Sequence, residues 1–183
     1  MILNWLRNKT PDAAYAAYTA LVEQARQPAF YSKTGVPDTI DGRFDMIVMH
    51  VVLVFRRLFK DEAEARAFGQ HIFDIFIKDM DRSLREIGVG DVSIPKKMKK
   101  IGQSYFGRSG AYAEALEADD AEALAEAIDR NIFPDEPAPA SAEVLARYML
   151  KAEAALRGQP AADLMTGAIQ WPDAEANLLR IQA

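Results

Sequence analysis

Met46-Ile47-Val48-Met49-His50-Val51-Val52-Leu53-Val54-Phe55 is the stretch whose reading decides the fold. Its Val and Ile content suits a strand. The run continues past Leu58 on one side and begins after Phe44 on the other, with Phe44, Ile47, Val51, Val54 and Leu58 at helical spacing. That length favours a buried helix over about residues 41–59. Asp45, Arg56 and Arg57 flank the run and His50 interrupts it. A membrane-spanning helix needs about 20 apolar residues, so the stretch reads as core.

Outward from it, every strong pattern is helical. Upstream, Tyr15, Tyr18, Val22 and Ala25 recur over about 12–27, with Pro11 placed to open a helix and Pro28 to close it. Residues 30–39, punctuated by Gly35 and Pro37, read as a loop. Downstream, Asp61 with Glu64 resembles a capping box for a helix over about 62–87, ended by Gly88 and Gly90. Its apolar residues cover more than half the circumference, which predicts a central helix. A fourth helix runs over about 95–116, with Ser93 as cap and a break at 107–110. A fifth covers about 121–131, capped by Asp119 or Asp120. A sixth runs from Ala142 to Arg157, between Ser141 and Gly158. A short helical piece follows Pro160, and Pro172 opens a last turn or two. There is no hairpin signal and no internal repeat. The expectation is an all-α protein, a single domain built as an irregular bundle of six to seven helices. Residues 1–133 form the core, 134–140 a Pro/Ala linker, and 141–183 a C-terminal helical extension packed on that core.

The totals agree with an ordinary globular chain. It has 183 residues, half of them apolar and 27% charged, no cysteine, and a net charge of −5. An acidic chain argues against general nucleic-acid binding, and no specific DNA binding is expected. The absence of cysteine removes disulfides and thiol chemistry. The apolar part of Met1–Lys9 is too short for a signal-peptide core. A cytoplasmic location follows as the expectation, at the inner face of the cytoplasmic membrane if the protein is peripheral.

Catalytic patterns are missing. There is no Gly-x-Ser-x-Gly, and Gly88-Val89-Gly90 follows a helix rather than a strand. His50 and His71 lack metal-site spacing, and His71 with Asp74 reads more plainly as two polar side chains facing water. His50 on an apolar helix is either a proton acceptor or a core histidine bonded to a polar neighbour. Asp79 falls inside an apolar arc, so it must be paired, hydrogen-bonded or neutral, and Arg82 is the obvious partner. It either pins the helix or places a recognition charge in a groove. Lys96-Lys97-Met98-Lys99-Lys100 puts positive charge on an acidic protein. It is either a solvated face or a dock for an anionic membrane, ribosomal RNA or an acidic partner. The seven methionines fill core or line an adaptable groove. No cofactor and no metal is expected, and binding rather than catalysis is the reading.

Several strings taken together resemble the ubiquinol–cytochrome c chaperone family. They are Gly35–Thr39, Asp41–Asp45 leading into the helix with His50 and Arg56-Arg57-Leu58, then Phe73–Ile77 with Asp79–Asp91. Pro95–Lys100, Tyr105-Phe106-Gly107-Arg108 and Arg130-Asn131 complete the set. The similarity covers about residues 30–133. It implies an all-helical, non-enzymatic assembly factor for the cytochrome bc1 complex that needs no cofactor. Family members in mitochondria act on newly made cytochrome b, near the ribosome and with a small partner protein. A cysteine-free chain of this kind looks like the bacterial form. Cytochrome b is then the expected client, bound in a groove beside the helices of residues 41–116. Phe44, His50, Asp79, Arg82 and Tyr105 are the client-site candidates. Lys96, Lys97, Lys99 and Lys100 are set toward a ribosome or an anionic membrane. The alternatives are a helical metal protein or enzyme using His50, His71 and nearby carboxylates, and a peripheral membrane module held by Trp5, Leu6 and the lysines.

Overall fold

A computed structural model describes the backbone of residues 2–60 and 62–182 and the side chains of residues 12–60 and 62–178. In it the Met46–Phe55 run lies within α3 (Ile40–Phe59). Every residue from Asp45 to Phe55 is buried. That explains a helix rich in β-branched residues. Each Val or Ile costs a few tenths of a kcal/mol in helix propensity. Its burial returns about 1.5–3 kcal/mol.

The other elements are α1 (Ile2–Ala25), α2 (Pro28–Thr34), α4 (Ala63–Glu86), α5 (Ile94–Glu117), α6 (Ala121–Ile132), α7 (Pro139–Arg157), α8 (Ala161–Leu164) and α9 (Ala174–Gln182). Among the described residues there is no strand. The seven longer helices and the short α2 and α8 share one apolar cluster, so the all-α expectation holds. Helix α3 touches α1, α4, α5, α6 and α7, and α6 packs along α7. No described helix is long and apolar enough to cross a membrane.

Helix ends follow local chemistry where it is strong. Thr39 Oγ1 accepts from the Gly42 amide at 3.1 Å and starts α3. Asp120, not Asp119, caps α6 by accepting from the Ala123 amide at 2.9 Å. Gly88 has φ +85°, and the amides of Gly88 and Val89 bond Arg85 O and Leu84 O, each at 3.0 Å. This is a Schellman ending for α4.

Several expectations need correcting. The central helix is α3, not α4. Phe73 and Ile77 on α4 are only half-buried and Ile87 at its end is exposed, because α4 lies on the outside of α3. The stretch 30–39 is not all loop, because its first residues belong to α2. Phe30 and Thr34 there are buried and α9 and α7 pack against it, which stabilises a helix too short to form alone. Helix α5 runs through Gly107 and Gly110 unbroken, since its packing on α3 and α6 outweighs about 1 kcal/mol per glycine. Ser93 precedes α5 but makes no side-chain cap bond. Ser141 lies inside α7, which opens instead at Pro139, where Asp129 accepts from the Ala138 amide at 2.7 Å. Pro11 lies within α1 rather than opening it. The expected cap Asp61 and the side chains of Trp5 and Leu6 lie outside the described residues.

Candidate functional site

Because α4 lies outside α3, part of its apolar arc has no helix to cover it. The space between α3, α4 and α5 is filled by aromatic rings. Phe44 stacks on Phe76 at 6.3 Å between centroids, and Tyr105 meets Phe76 at 5.7 Å and Phe73 at 5.4 Å. Phe55 reaches Phe73 at 6.1 Å and Phe59 at 5.1 Å. The groove expected beside these helices is thus largely packed with its own side chains. What reaches the surface is a band of half-buried Phe44, Phe73, Ile77, Met98 and Ile101, continued by exposed Phe59 and by Phe106 at 67% exposure. Burial lifts the Tyr105 hydroxyl to about 12, so it stays protonated. Phe44 and Tyr105, two of the sequence candidates, meet here through Phe76.

Asp79 and Arg82 sit on the other edge of α4. Asp79 is 12% exposed and accepts from Tyr18 of α1 at 2.8 Å as well as from Arg82. The Tyr18 hydroxyl is pushed up by burial and by the Asp79 charge. Arg82 is exposed and also lies 3.7 Å from Glu86. The carboxylate therefore pins α4 to α1.

His50 lies apart from both, fully buried on the α7 side of α3. Its Nδ1 is 2.7 Å from Met46 O and its Nε2 is 3.0 Å from the Tyr148 hydroxyl. Gln24 donates to the same hydroxyl at 2.9 Å and to Pro172 O at 3.1 Å. One arrangement satisfies all four. Nδ1–H donates to Met46 O, Nε2 accepts from Tyr148, and Tyr148 accepts from Gln24. Burial drives the His50 pKa down to about 4, against the raising effect of the Met46 carbonyl, so the ring is neutral. Phe30 and Trp171 pack edge-on to it at 5.6 and 5.1 Å. His50 thus joins α1, α3, α7 and the segment before α9, and presents nothing to solvent.

The four lysines are exposed on the first two turns of α5. Among the described residues no His, Asp and Glu cluster could hold a metal. His71 is exposed and Asp74 accepts from Gln70 at 2.8 Å.

Two buried carboxylates, Asp45 and Glu153, escaped the sequence reading. Asp45, read as a flank of the apolar run, is 3% exposed and lies 2.5 Å from the Arg108 Nε. Burial pushes its carboxyl up to about 6, more than Arg108 pulls it down. Arg108 also lies 5.8 Å from the Phe44 ring and donates to Asn131 O at 3.5 Å. The only signal was spacing, since Asp45 falls three and four residues before Val48 and Met49 on a helix buried all round. Arg56 and Arg57, read as the other flank, are ties as well. Arg56 binds Glu153 at 2.8 Å, Glu117 at 2.9 Å and Ala113 O at 3.0 Å. Arg57 binds Gln159 O at 2.9 Å and Leu156 O at 3.2 Å, at the end of α7. A cavity of about 260 Å³ lies among Arg56, Arg57, Lys60, Glu153 and Arg157. Glu117, Glu153 and the carbonyls at the end of α7 already answer its cations.

The geometry is that of an all-helical protein with no metal cluster among its described residues. Its buried charges serve packing, and its uncovered features are an apolar band and a basic stripe. The same fold occurs in the crystal structure of the Cbp3 homolog from Brucella abortus. The two chains superpose with a TM-score of 0.85 at 41% identity, over 96% of this chain and 98% of that one. The model of the ubiquinol-cytochrome C chaperone family matches residues 32–171, and the chain belongs to that family, one of chaperones rather than enzymes. The match runs past residue 133, through α7 to Trp171. Ubiquinol-cytochrome-c reductase complex assembly factor 1 of Xenopus laevis is 25% identical over 171 residues, 92% of this chain and 85% of that protein. The mouse and human proteins of that name are each 26% identical over 171 residues, and this chain spans 58% and 57% of their lengths.

Proposed function

We propose that this chain is a non-enzymatic assembly chaperone for the cytochrome bc1 complex, with newly made cytochrome b as its client. Membership of the chaperone family carries this reading. The relatives at 25–26% identity are named as assembly factors of ubiquinol–cytochrome c reductase, and a protein 41% identical over nearly the whole chain is a Cbp3 homolog. The apolar band of α4 and α5 supports it physically. An unassembled membrane helix must be shielded from water, and a band of half-buried aromatic and Met side chains offers non-directional contact to such a helix. In this reading Phe44 belongs to the band and Tyr105, buried behind it, braces it from beneath. Asp79 and Arg82 hold α4 in place against α1, and His50 fixes α3 to α7. Lys96, Lys97, Lys99 and Lys100 face an anionic surface, either a ribosome or the inner face of the membrane.

The test is genetic. Deleting the gene should lower cytochrome b, read from the reduced-minus-oxidised haem spectrum, and quinol–cytochrome c reductase activity. The wild-type gene should restore both, and Phe106→Asp, which charges the most exposed ring of the band, should restore them poorly while the protein stays folded. Normal cytochrome b and reductase levels in the deletion strain would sink the proposal.

A further inference from the structure

The turn joining α4 to α5 carries two features that the aromatic band does not use. Ile87 is 54% exposed and Val92 is 97% exposed. A valine almost wholly in water adds little to folding, so it is free to make a contact outside the chain. The turn that carries the two side chains is well defined. Gly88 and Val89 close the Schellman bonds onto α4, and the Ser93 amide bonds Gly90 O at 2.8 Å. Arg85 ties the turn by pairing with Asp81 at 2.7 Å and with Asp91.

The second feature is charge. Lys96 follows Val92 by four residues, so their Cα atoms lie within about 14 Å. Seven basic and four acidic residues occur between 78 and 100, on a chain whose net charge is −5. Of the acids, Asp79, Asp81, Glu86 and Asp91 each pair with Arg82 or Arg85. Among the described residues the four lysines have no carboxylate partner.

We propose that this turn is a membrane-surface wedge. Ile87 and Val92 enter the interfacial zone of an anionic bilayer, and Lys96, Lys97, Lys99 and Lys100 engage its headgroup phosphates. The proposal rests on the reading of the lysines as a docking stripe but not on the identity of the client. Lysines alone would serve an RNA surface equally well. An RNA surface gives no return for an exposed Ile and Val, whereas a bilayer interface does. The apolar pair therefore selects lipid over RNA.

The test is flotation of the purified full chain with phosphatidylcholine vesicles, with and without phosphatidylglycerol. Binding is expected only with the anionic lipid. Each lysine near such a surface is worth roughly a fivefold change in binding, so reversing all four to Glu should lower binding by at least about 100-fold. Ile87→Ser with Val92→Ser should lower it by about tenfold or more and leave the rest fully salt-sensitive. All six side chains are exposed, so circular dichroism should be unchanged. Because the chain has no cysteine, Val92→Cys can carry a single polarity-sensitive fluorophore. Its emission should shift to the blue on anionic vesicles, while a label at exposed Glu136→Cys should not shift. Vesicle binding with an unshifted label at position 92 overturns the wedge. Binding to ribosomal RNA without binding to vesicles also overturns it, and either failure leaves the client reading to its own genetic test.

Discussion

Tyr148→Phe isolates one hydroxyl at the centre of the fold. The ring stays, so its edge contact with Phe30 at 4.8 Å and its packing beside His50 are kept. Two hydrogen bonds go, one from Gln24 and one to His50. Gln24 keeps its bond to Pro172 O. The His50 Nε2 keeps nothing, and it is fully buried. A lost net hydrogen bond costs about 1 kcal/mol, and an orphaned buried acceptor about 1–3 kcal/mol. The sum is about 2–4 kcal/mol, a large share of the 5–15 kcal/mol typical of a domain. For a chain of this length each kcal/mol shifts Tm by about 2–4 °C, so Tm should fall by about 5–15 °C. Urea unfolding followed by circular dichroism gives the free energy directly. The companion variant His50→Leu removes the acceptor itself, so in the double variant the hydroxyl has less to lose. The two single effects should then exceed the double by about 1 kcal/mol or more. Additive effects, or a Tm change within 1–2 °C for Tyr148→Phe, would refute the chain from Gln24 through Tyr148 to His50.

Two further outcomes follow from the buried charges and the start of α3. His50 titrates near 4 when folded against 6.5 unfolded, so its neutral burial contributes fully above pH 6.5 and is lost as pH falls toward 4. Asp45 titrates near 6 when folded against 3.8 unfolded, so its penalty is absent at low pH and grows as pH rises to 6. The two slopes oppose each other between about pH 4 and 6. Asp45→Asn removes one, and the variant should lose about 2–3 kcal/mol more than the wild type on acidification from pH 6 to 4; parallel urea profiles would refute the assignment. Gly42→Ala should destabilise by about 2–4 kcal/mol in thermal melts, because the new Cβ would lie 2.0 Å from Pro37 O and would displace the Thr39 cap. Helix propensity alone would make the same change stabilising by about 1 kcal/mol, so the sign of the result decides between them.

Elements that rest on local energetics were legible in the residues alone. The Met46–Phe55 run has to be buried whatever surrounds it, and its length makes it helical. Gly88 has to end α4 because a left-handed residue is needed there, and the α6 cap was narrowed to Asp119 or Asp120, of which Asp120 makes the bond. The ordered strings from Gly35 to Asn131 were enough to suggest the family. Tertiary structure alone decided what each polar side chain does. Asp79 finds Tyr18 across 61 residues, His50 finds Tyr148 across 98, and Asp45 finds Arg108 across 63. Such pairs leave no periodic trace, since they depend on how helices cross and not on spacing along one chain. The same reason explains α2, which is helical because α7 and α9 pack on it. It also explains why α4 is an outer helix. Its wide apolar arc predicted a central place, and only the packing of α1, α3 and α5 around it shows which part of that arc is left for a partner to cover.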